Sequence, residues 1–106
     1  MKSAMIFPLA GILAIMSAAL ALPQNSILEH GREVFAIQKC ALCHSISGIG
    51  GKKKALDGVG SRIKSEEIKK WILTPKEMKA DTTMKAYPNL PEKDLSDLVA
   101  YLMTLK

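Results

Sequence analysis

The sequence predicts an all-α fold made of short helices. Apolar residues recur at helical spacing in three segments: one around residues 27–39, SEEIKKWIL in the middle, and PEKDLSDLVAYLMTLK at the end of the chain. No strand-like alternation and no internal repeat is visible in the sequence. A chain of 106 residues is also the size of one domain.

The first 21 residues are predicted to be an export signal and not part of this domain. Lys2 precedes an apolar run from Met5 to Leu20, and Ala19-Leu20-Ala21 fits the small-x-small rule for cleavage. We therefore expect cleavage after Ala21 and a periplasmic domain of residues 22–106. An uncleaved membrane anchor is the alternative, because about 20 apolar residues span a bilayer.

The exported domain is small and mildly basic. Without Lys2 it holds 14 basic and 10 acidic residues, a net charge of +4. This charge favours an acidic partner, although solubility alone would also explain it. We predict a monomer with no nucleic-acid partner. A chain of this size has a thin core, so a bound group is expected to help fill the interior.

The ends of the helices carry recognisable signals. Ser26 with Glu29 three residues later forms a capping box, which predicts a first helix from Ile27 to Lys39. Ile27, Gly31, Val34 and Phe35 share one face of this helix. Gly31 costs about 1 kcal/mol relative to Ala in a helix, which predicts the close approach of another helix.

The other two helices are delimited by prolines and acidic residues. The middle helix is predicted to begin at Ser65 and to stop before Pro75, and the last to run from Pro91 or Glu92 to Leu105. The glycine-rich segment 45–62 is predicted to be a loop. The residues expected to face inward are Ile68, Trp71 and Ile72 in the middle helix and Leu95, Leu98, Val99, Leu102 and Leu105 in the last.

The pentapeptide Cys40-Ala41-Leu42-Cys43-His44 is the strongest chemical signal. A thioredoxin-like pair would need a strand before it and a βαβ pattern. A zinc site needs four ligands, and His30 is the one further Cys or His in the chain. C-x-x-C-H is the signature of covalent haem attachment. We therefore predict one haem c, with Cys40 and Cys43 as thioether sites and His44 as the proximal iron ligand.

Four side chains could supply the distal iron ligand: His30, Met78, Met84 and Met103. His30 precedes the motif on the same helix and would have to fold back over the opposite haem face, so we expect it to be solvent-exposed or on the helix surface. Met103 lies at a packing position of the last helix. Met78 and Met84 lie in a loop-like stretch bracketed by prolines, and Met84 is favoured over Met78.

The chain from residue 22 onward resembles the class I monohaem cytochromes c over nearly its whole length. The matching pieces are GREVFAIQKCALCHSI, LDGVGSRI, WILTPKEM and TTMKAYPNLPEKDLSDLVAYL. The resemblance implies a cytochrome c fold with three to four short helices around one covalently bound haem. It implies Met84 as distal ligand, Trp71 as a possible propionate contact, and a crossing of Gly31 and Phe35 against Leu98 and Tyr101.

Two positions depart from the family pattern. Relatives often have a proline whose carbonyl orients the proximal histidine, and here that position is Lys54 or a neighbour. Many relatives also have a proline directly after the axial methionine, where this chain has Lys85.

The predicted function is one-electron transfer and not enzymatic catalysis, with redox partners that dock transiently. Lys39, Lys79 and Lys85 are expected near the haem edge, and Lys52, Lys53 and Lys54 form the densest charge run. A solvated surface is the alternative for all six and is favoured for the triplet. The alternatives are a five-coordinate haem protein that binds ligands or acts like a peroxidase, a cytochrome subunit of an oxidoreductase complex, and a CxxC redox or metal module without haem.

Overall fold

The computed structural model describes residues 22–106, so the predicted signal in residues 1–21 lies outside it. Within the described part no helix combines the length and apolar character needed to cross a membrane. The α-helices are α1 Leu22–Ile37, α2 Val59–Arg62, α3 Ser65–Leu73, α4 Pro75–Met78 and α5 Glu92–Met103. A 3₁₀ turn spans Cys40–Leu42, and the strands are β1 His44–Ile46, β2 Ile49–Gly50 and β3 Lys54–Ala55.

The mostly helical architecture agrees with the prediction, but the number of helices and the start of the first one differ. Residues 22–106 form five α-helices where three to four were expected, and α2 and α4 are single turns of four residues. The predicted capping box at Ser26 is wrong, because residues 22–25 are already helical and Ser26 lies inside α1. An N-cap residue has to precede the first helical turn, and the residues before Ser26 are themselves helical.

The crossing of α1 and α5 is the main packing contact of the fold. A Cβ on Gly31 would collide with the carbonyl oxygen of Asp97 and lie 2.7 Å from Cβ of Tyr101. Phe35 packs edge-on against Tyr101, with ring centroids 6.0 Å apart. The close approach predicted from Gly31 is therefore confirmed, and the physical reason is that only a residue without a side chain fits between the two helices.

The core is formed by side chains from four of the helices. The predicted inward faces are confirmed by the buried Ile68 and Ile72 in α3 and by the buried apolar residues of α5. Trp71 is half-buried, and Leu105 packs half-buried against the core although it lies beyond the end of α5. The buried apolar residues are Val34, Phe35, Val59, Ile68, Ile72, Leu95, Leu98, Val99 and Leu102.

The glycine-rich segment predicted to be a loop contains short strands and helix α2. The strand order is β2-β1-β3, with β2 antiparallel and β3 parallel to β1. Ser47 and Gly48, at φ 53° and 81°, form the two-residue turn between β1 and β2. This backbone is typical of a type I′ hairpin. Strands of two or three residues are too short to show alternation in the sequence, which is why the loop prediction was wrong here.

Candidate functional site

The C-x-x-C-H motif begins where the chain leaves α1. Lys39 takes a left-handed conformation (φ 60°), which is uncommon for a residue with a side chain and turns the backbone into the 3₁₀ turn. The N–H of Cys43 donates to the carbonyl of Cys40 at 3.2 Å. This turn brings Cys40, Cys43 and His44 to the lining of one cavity.

The segment after the hairpin folds back over the motif and fixes its backbone. Gly51 N–H donates to the Ala41 carbonyl at 2.8 Å, and the N–H groups of Lys53 and Lys54 donate to the Cys43 carbonyl at 3.0 and 3.2 Å. A Cβ on Gly51 would collide with the motif backbone. Glycine therefore allows this segment to lie directly against the motif.

The ring of His44 is oriented by a backbone carbonyl. Its Nδ1 lies 3.1 Å from the carbonyl oxygen of Lys54. A carbonyl only accepts hydrogen bonds, so Nδ1 carries the proton and Nε2 has a free lone pair. This is the tautomer needed for Nε2 to bind a metal, and the carbonyl is a typical orienting partner of a ligand histidine. In the family a proline carbonyl often orients the proximal histidine, and in this chain the Lys54 carbonyl takes that place.

A cavity of about 700 Å³ lies between the motif, helices α1, α3 and α5, and the loop after α4. This volume is within the roughly 300–1,000 Å³ typical of small-molecule and cofactor sites. Its apolar walls come from separate elements of the fold. The apolar lining residues include Phe35, Leu56, Val59, Ile63, Ile68, Ile72, Leu90, Leu98 and Leu102.

The cavity distinguishes the three methionine candidates. Met84 is half-buried and lines the cavity, while Met78 and Met103 do not. Met78 ends helix α4, and Met103 packs against the core at the end of α5, as predicted. The backbone N–H of Met84 donates to the Thr82 hydroxyl at 3.2 Å.

His30 lies in a charged cluster between α1 and α5 and does not line the cavity. Its Nδ1 is 2.8 Å from Oδ2 of Asp97, and its Nε2 is 3.3 Å from Oδ1 of Asp94. Of the two predicted settings for His30, solvent-exposed or helix-surface, only full exposure is wrong, because the side chain is half-buried and paired with acids of α5. No local signal in the sequence reveals these contacts, since the partners are more than 60 positions away.

Asp97 is a buried carboxylate that the sequence did not single out. Its side chain is 6% exposed and accepts from Lys93 Nζ at 2.9 Å as well as interacting with His30. The hydrogen bond from Lys93, and then the one from His30, lower the pKa of Asp97 below its ordinary 3.8, against the opposing effect of burial. The hydrogen bonds from Lys93 and His30 therefore compensate the negative charge of the buried Asp97 carboxylate.

Trp71 lies at the cavity wall, half-buried. Its indole N–H donates no hydrogen bond to any residue in the part of the chain that the structure describes. The predicted propionate contact therefore stays a prediction.

The charged side chains at the cavity all have the same sign. Among residues 24–106, no Asp or Glu lines it, and none of its cations takes part in an ion pair. Arg62 was missed as a site residue, although its segment LDGVGSRI carried the family resemblance, and Lys52 is exposed without lining the cavity. The lining cations are Lys39, Lys53, Lys54, Arg62, Lys79 and Lys85.

The environment of Cys40 does not favour thiolate chemistry. Burial raises the pKa of the Cys40 thiol to about 11. Thiol–disulfide exchange and zinc binding both use the thiolate, which such a site suppresses. A neutral sulfur in an apolar wall suits a thioether.

Tyr87, like Arg62, lines the cavity and was not predicted as a site residue from the sequence. Its hydroxyl donates to the Gln38 carbonyl at 3.0 Å, and its N–H donates to the Ile72 carbonyl at 2.9 Å. Burial raises the pKa of Tyr87 above 10.0, so the hydroxyl stays protonated. It therefore remains a donor at neutral pH.

These residues fit a covalently attached haem. The two cysteines and the oriented His44 lie along one apolar cavity of suitable volume, and Met84 lines the same cavity from the loop after α4. An apolar interior with few polar groups is the usual form of a cofactor site.

Comparisons with known proteins agree with this site. The family model of cytochrome c matches residues 28–106. The chain is also similar to a cytochrome c oxidase subunit 2 of Alkalihalophilus pseudofirmus, at 32% identity over 101 residues. That match covers 86% of this chain but 29% of the length of the relative. The family match spans the motif, the cavity-lining helices and the Met84 loop, and the chain belongs to the cytochrome c family of haem-based electron carriers.

Proposed function

We propose that this protein is a periplasmic one-electron carrier with one covalent haem c, bound through Cys40 and Cys43 and ligated by His44 and Met84. The observation that carries the proposal is the shared cavity that these four residues line. When bound, the haem supplies an Fe(III)/Fe(II) couple. The protein contributes the attachment sites, the axial ligands and the apolar surroundings, which together tune the reduction potential.

His44 and Met84 have distinct parts in this function. The Lys54 carbonyl holds the His44 ring so that Nε2 is presented as a ligand. A soft thioether from Met84 favours ferrous iron and so raises the potential relative to a second histidine. Because both ligands come from hydrogen-bonded backbone, little movement accompanies the arrival or departure of an electron.

The cavity mouth supports transient docking of an acidic redox partner. None of the six lining cations forms an ion pair within residues 24–106, so they can attract negative surfaces over about 10 Å at moderate ionic strength. Leu42 and Ile49 lie on neighbouring elements and are 74% and 79% exposed, which adds apolar area beside Cys43. Charge steering speeds such encounters without requiring a large interface.

Two alternatives remain distinct from this proposal. A five-coordinate ligand-binding or peroxidase-like protein would require Met84 to stay off the iron. Arg62 lies at the cavity, but its Nη1 already donates to the Asp57 carbonyl, so it is a poor acid–base group. A cytochrome subunit of an oxidoreductase complex is favoured by the similarity to a cytochrome c oxidase subunit 2, and purification of the native protein alone or with other redox subunits would distinguish it.

The deciding experiment compares absorption spectra of the wild type and Met84→Ala. The oxidised wild type should show a c-type spectrum with the weak long-wavelength sulfur-to-iron band. Met84→Ala should lose that band and bind carbon monoxide readily when reduced, because the sixth position is open. Met78→Ala is the matched control and should keep the band, since Met78 does not line the cavity.

A haem-free product would refute the proposal altogether, and a c-type spectrum without the sulfur band in the wild type would support the five-coordinate alternative. The proposed export with cleavage after Ala21 is tested separately. The mass of the mature protein should correspond to residues 22–106 plus one haem, whereas an uncleaved anchor would leave the full chain in the membrane fraction.

A further inference from the structure

Tyr87 connects the loop that carries Met84 to both sides of the cavity. Its N–H donates to the Ile72 carbonyl in α3, at 2.9 Å. Its hydroxyl donates to the Gln38 carbonyl at 3.0 Å, and Gln38 lies two residues before Cys40. One residue therefore links the Met84 loop to the segment that enters the C-x-x-C-H motif.

The ring of Tyr87 also forms a wall of the cavity. Gln38, Tyr87 and Leu90 line the main cavity and also an open cleft of about 240 Å³. Nζ of Lys85 lies 5.2 Å from the centroid of the Tyr87 ring. Tyr87 thus borders both the cavity and the cleft, and its hydroxyl bond ties it to the Gln38 carbonyl.

Met84 is close enough along the chain to respond to this anchor. The two residues are three positions apart, so even an extended backbone separates them by only about 10 Å. On the other side of Met84, the Thr82 hydroxyl accepts from the Met84 N–H, and the Thr82 carbonyl accepts from Lys76 Nζ at 3.0 Å. The loop is therefore held on both sides of the methionine.

We propose that Tyr87 is a positioning residue for Met84: its hydrogen bond to the Gln38 carbonyl holds the loop where the methionine sulfur stays on the iron. The inference rests on the proposed ligation by Met84. Its acceptor belongs to the backbone that leads into Cys40, so the bond ties the distal ligand to the covalent attachment segment. Without the bond, the loop is still held by the Tyr87 N–H but departs from the cavity more often.

The test uses the haem-loaded protein and the variant Tyr87→Phe, which removes only the hydroxyl oxygen. The measured quantity is the rate at which carbon monoxide binds the reduced protein, because the sulfur must leave the iron first. Loss of one neutral hydrogen bond should raise this rate roughly fivefold, the factor that corresponds to about 1 kcal/mol. The oxidised variant should keep its sulfur-to-iron band, since Met84 itself is present.

Tyr101→Phe is the matched control. The Tyr101 hydroxyl makes no hydrogen bond within residues 24–106, and Tyr101 does not line the cavity, although its ring contacts Phe35. The control should bind carbon monoxide at the wild-type rate. A faster rate in Tyr87→Phe alone supports the inference. An unchanged rate, or an equal rise in both variants, overturns it.

The result is separable from a failure of the proposed function. If Met84 is not the ligand, the wild type lacks the sulfur band or Met84→Ala retains it, and that is seen before Tyr87 is tested. If the band behaves as expected and Tyr87→Phe has no effect, only the role of Tyr87 is wrong.

Discussion

At the residue scale, polar side chains and carbonyls fix the groups that matter for the site. His44 obtains its tautomer from the Lys54 carbonyl, and Met84 obtains its loop geometry from Thr82 and Tyr87. The same kind of fixing occurs away from the cavity, where Asp97 is buried between His30 and Lys93. His44, Met84 and Asp97 each depend on hydrogen bonds to particular partners, so a single substitution can test each contact.

Replacing Asp97 with Asn tests the charged cluster between α1 and α5. Hydrogen bonds to a charged group contribute about 1.5–3 kcal/mol, so Asp97→Asn should lower the free energy of unfolding by about 1–2 kcal/mol at neutral pH, allowing for the exposure of Lys93. The pKa of Asp97 is lowered in the folded state, so its stabilising contribution is complete above its ordinary 3.8 and is lost as the pH falls through the lower folded value.

The measurement is denaturant unfolding of the haem-loaded protein at neutral pH and again below pH 3.8. The difference between Asp97→Asn and the wild type should shrink at the lower pH. Asp81→Asn, at an exposed position, is the control and should have little effect at either pH. A pH-independent difference would contradict the electrostatic explanation and would indicate packing alone.

At the element scale, the crossing of α1 and α5 determines how the cavity is closed. Phe35 on α1 and Leu98 and Leu102 on α5 are buried in the core and line the cavity as well. The helices can present these side chains together only because Gly31 lets their backbones approach. A helix-interior glycine, unfavourable by local propensity, is therefore required by the tertiary packing.

Gly31→Ala should destabilise the protein although alanine is the better helix former. Alanine gains about 1 kcal/mol in helix propensity, but its Cβ collides with the Asp97 carbonyl, and overpacking of this kind costs about 1–3 kcal/mol or more. Because the collision is with backbone atoms, the cost should lie at the upper end of that range, and we expect a net loss of about 2 kcal/mol in the free energy of unfolding. Denaturant titration measures it, with exposed Glu33→Ala on the same helix as control. Equal or higher stability of Gly31→Ala would show that the helices separate without penalty.

At the scale of the whole molecule, the cavity lies at the centre of the apolar core, and core side chains form its walls. The buried apolar side chains come from α1, α2, α3 and α5, and many of them face the cavity as well as one another. A domain of about 85 residues has little other apolar area to bury. The bound group is therefore expected to complete the interior, and folding should depend on it.

The chain without haem should be largely unfolded. The variant Cys40→Ser/Cys43→Ser, produced without attachment, is expected to show weak helical circular dichroism and no cooperative thermal transition. The haem-loaded wild type provides the reference spectrum and transition. A cooperative, native-like helical form of the haem-free chain would contradict the prediction and would mean that the helices pack stably around the cavity by themselves.

Local patterns carried much of the information about this protein. The helical spacing in SEEIKKWIL and in the last helix predicted α3 and the buried face of α5, and Gly31 predicted a close helix crossing. The C-x-x-C-H spacing and the family resemblance singled out Cys40, Cys43, His44 and Met84, and all four line the cavity. These signals are short-range, because helix periodicity and motif chemistry depend on residues a few positions apart.

Contacts between distant segments were decided by the tertiary structure. The sequence alone indicated the all-α class, the haem-attachment motif and Met84 as the favoured sulfur. Only the fold showed that the Lys54 carbonyl orients His44, that His30 pairs with Asp97, and that Tyr87 bonds to Gln38. The physical reason is that a backbone carbonyl has no residue-specific signature, and a hydrogen bond between segments as much as 67 positions apart leaves no periodicity to detect.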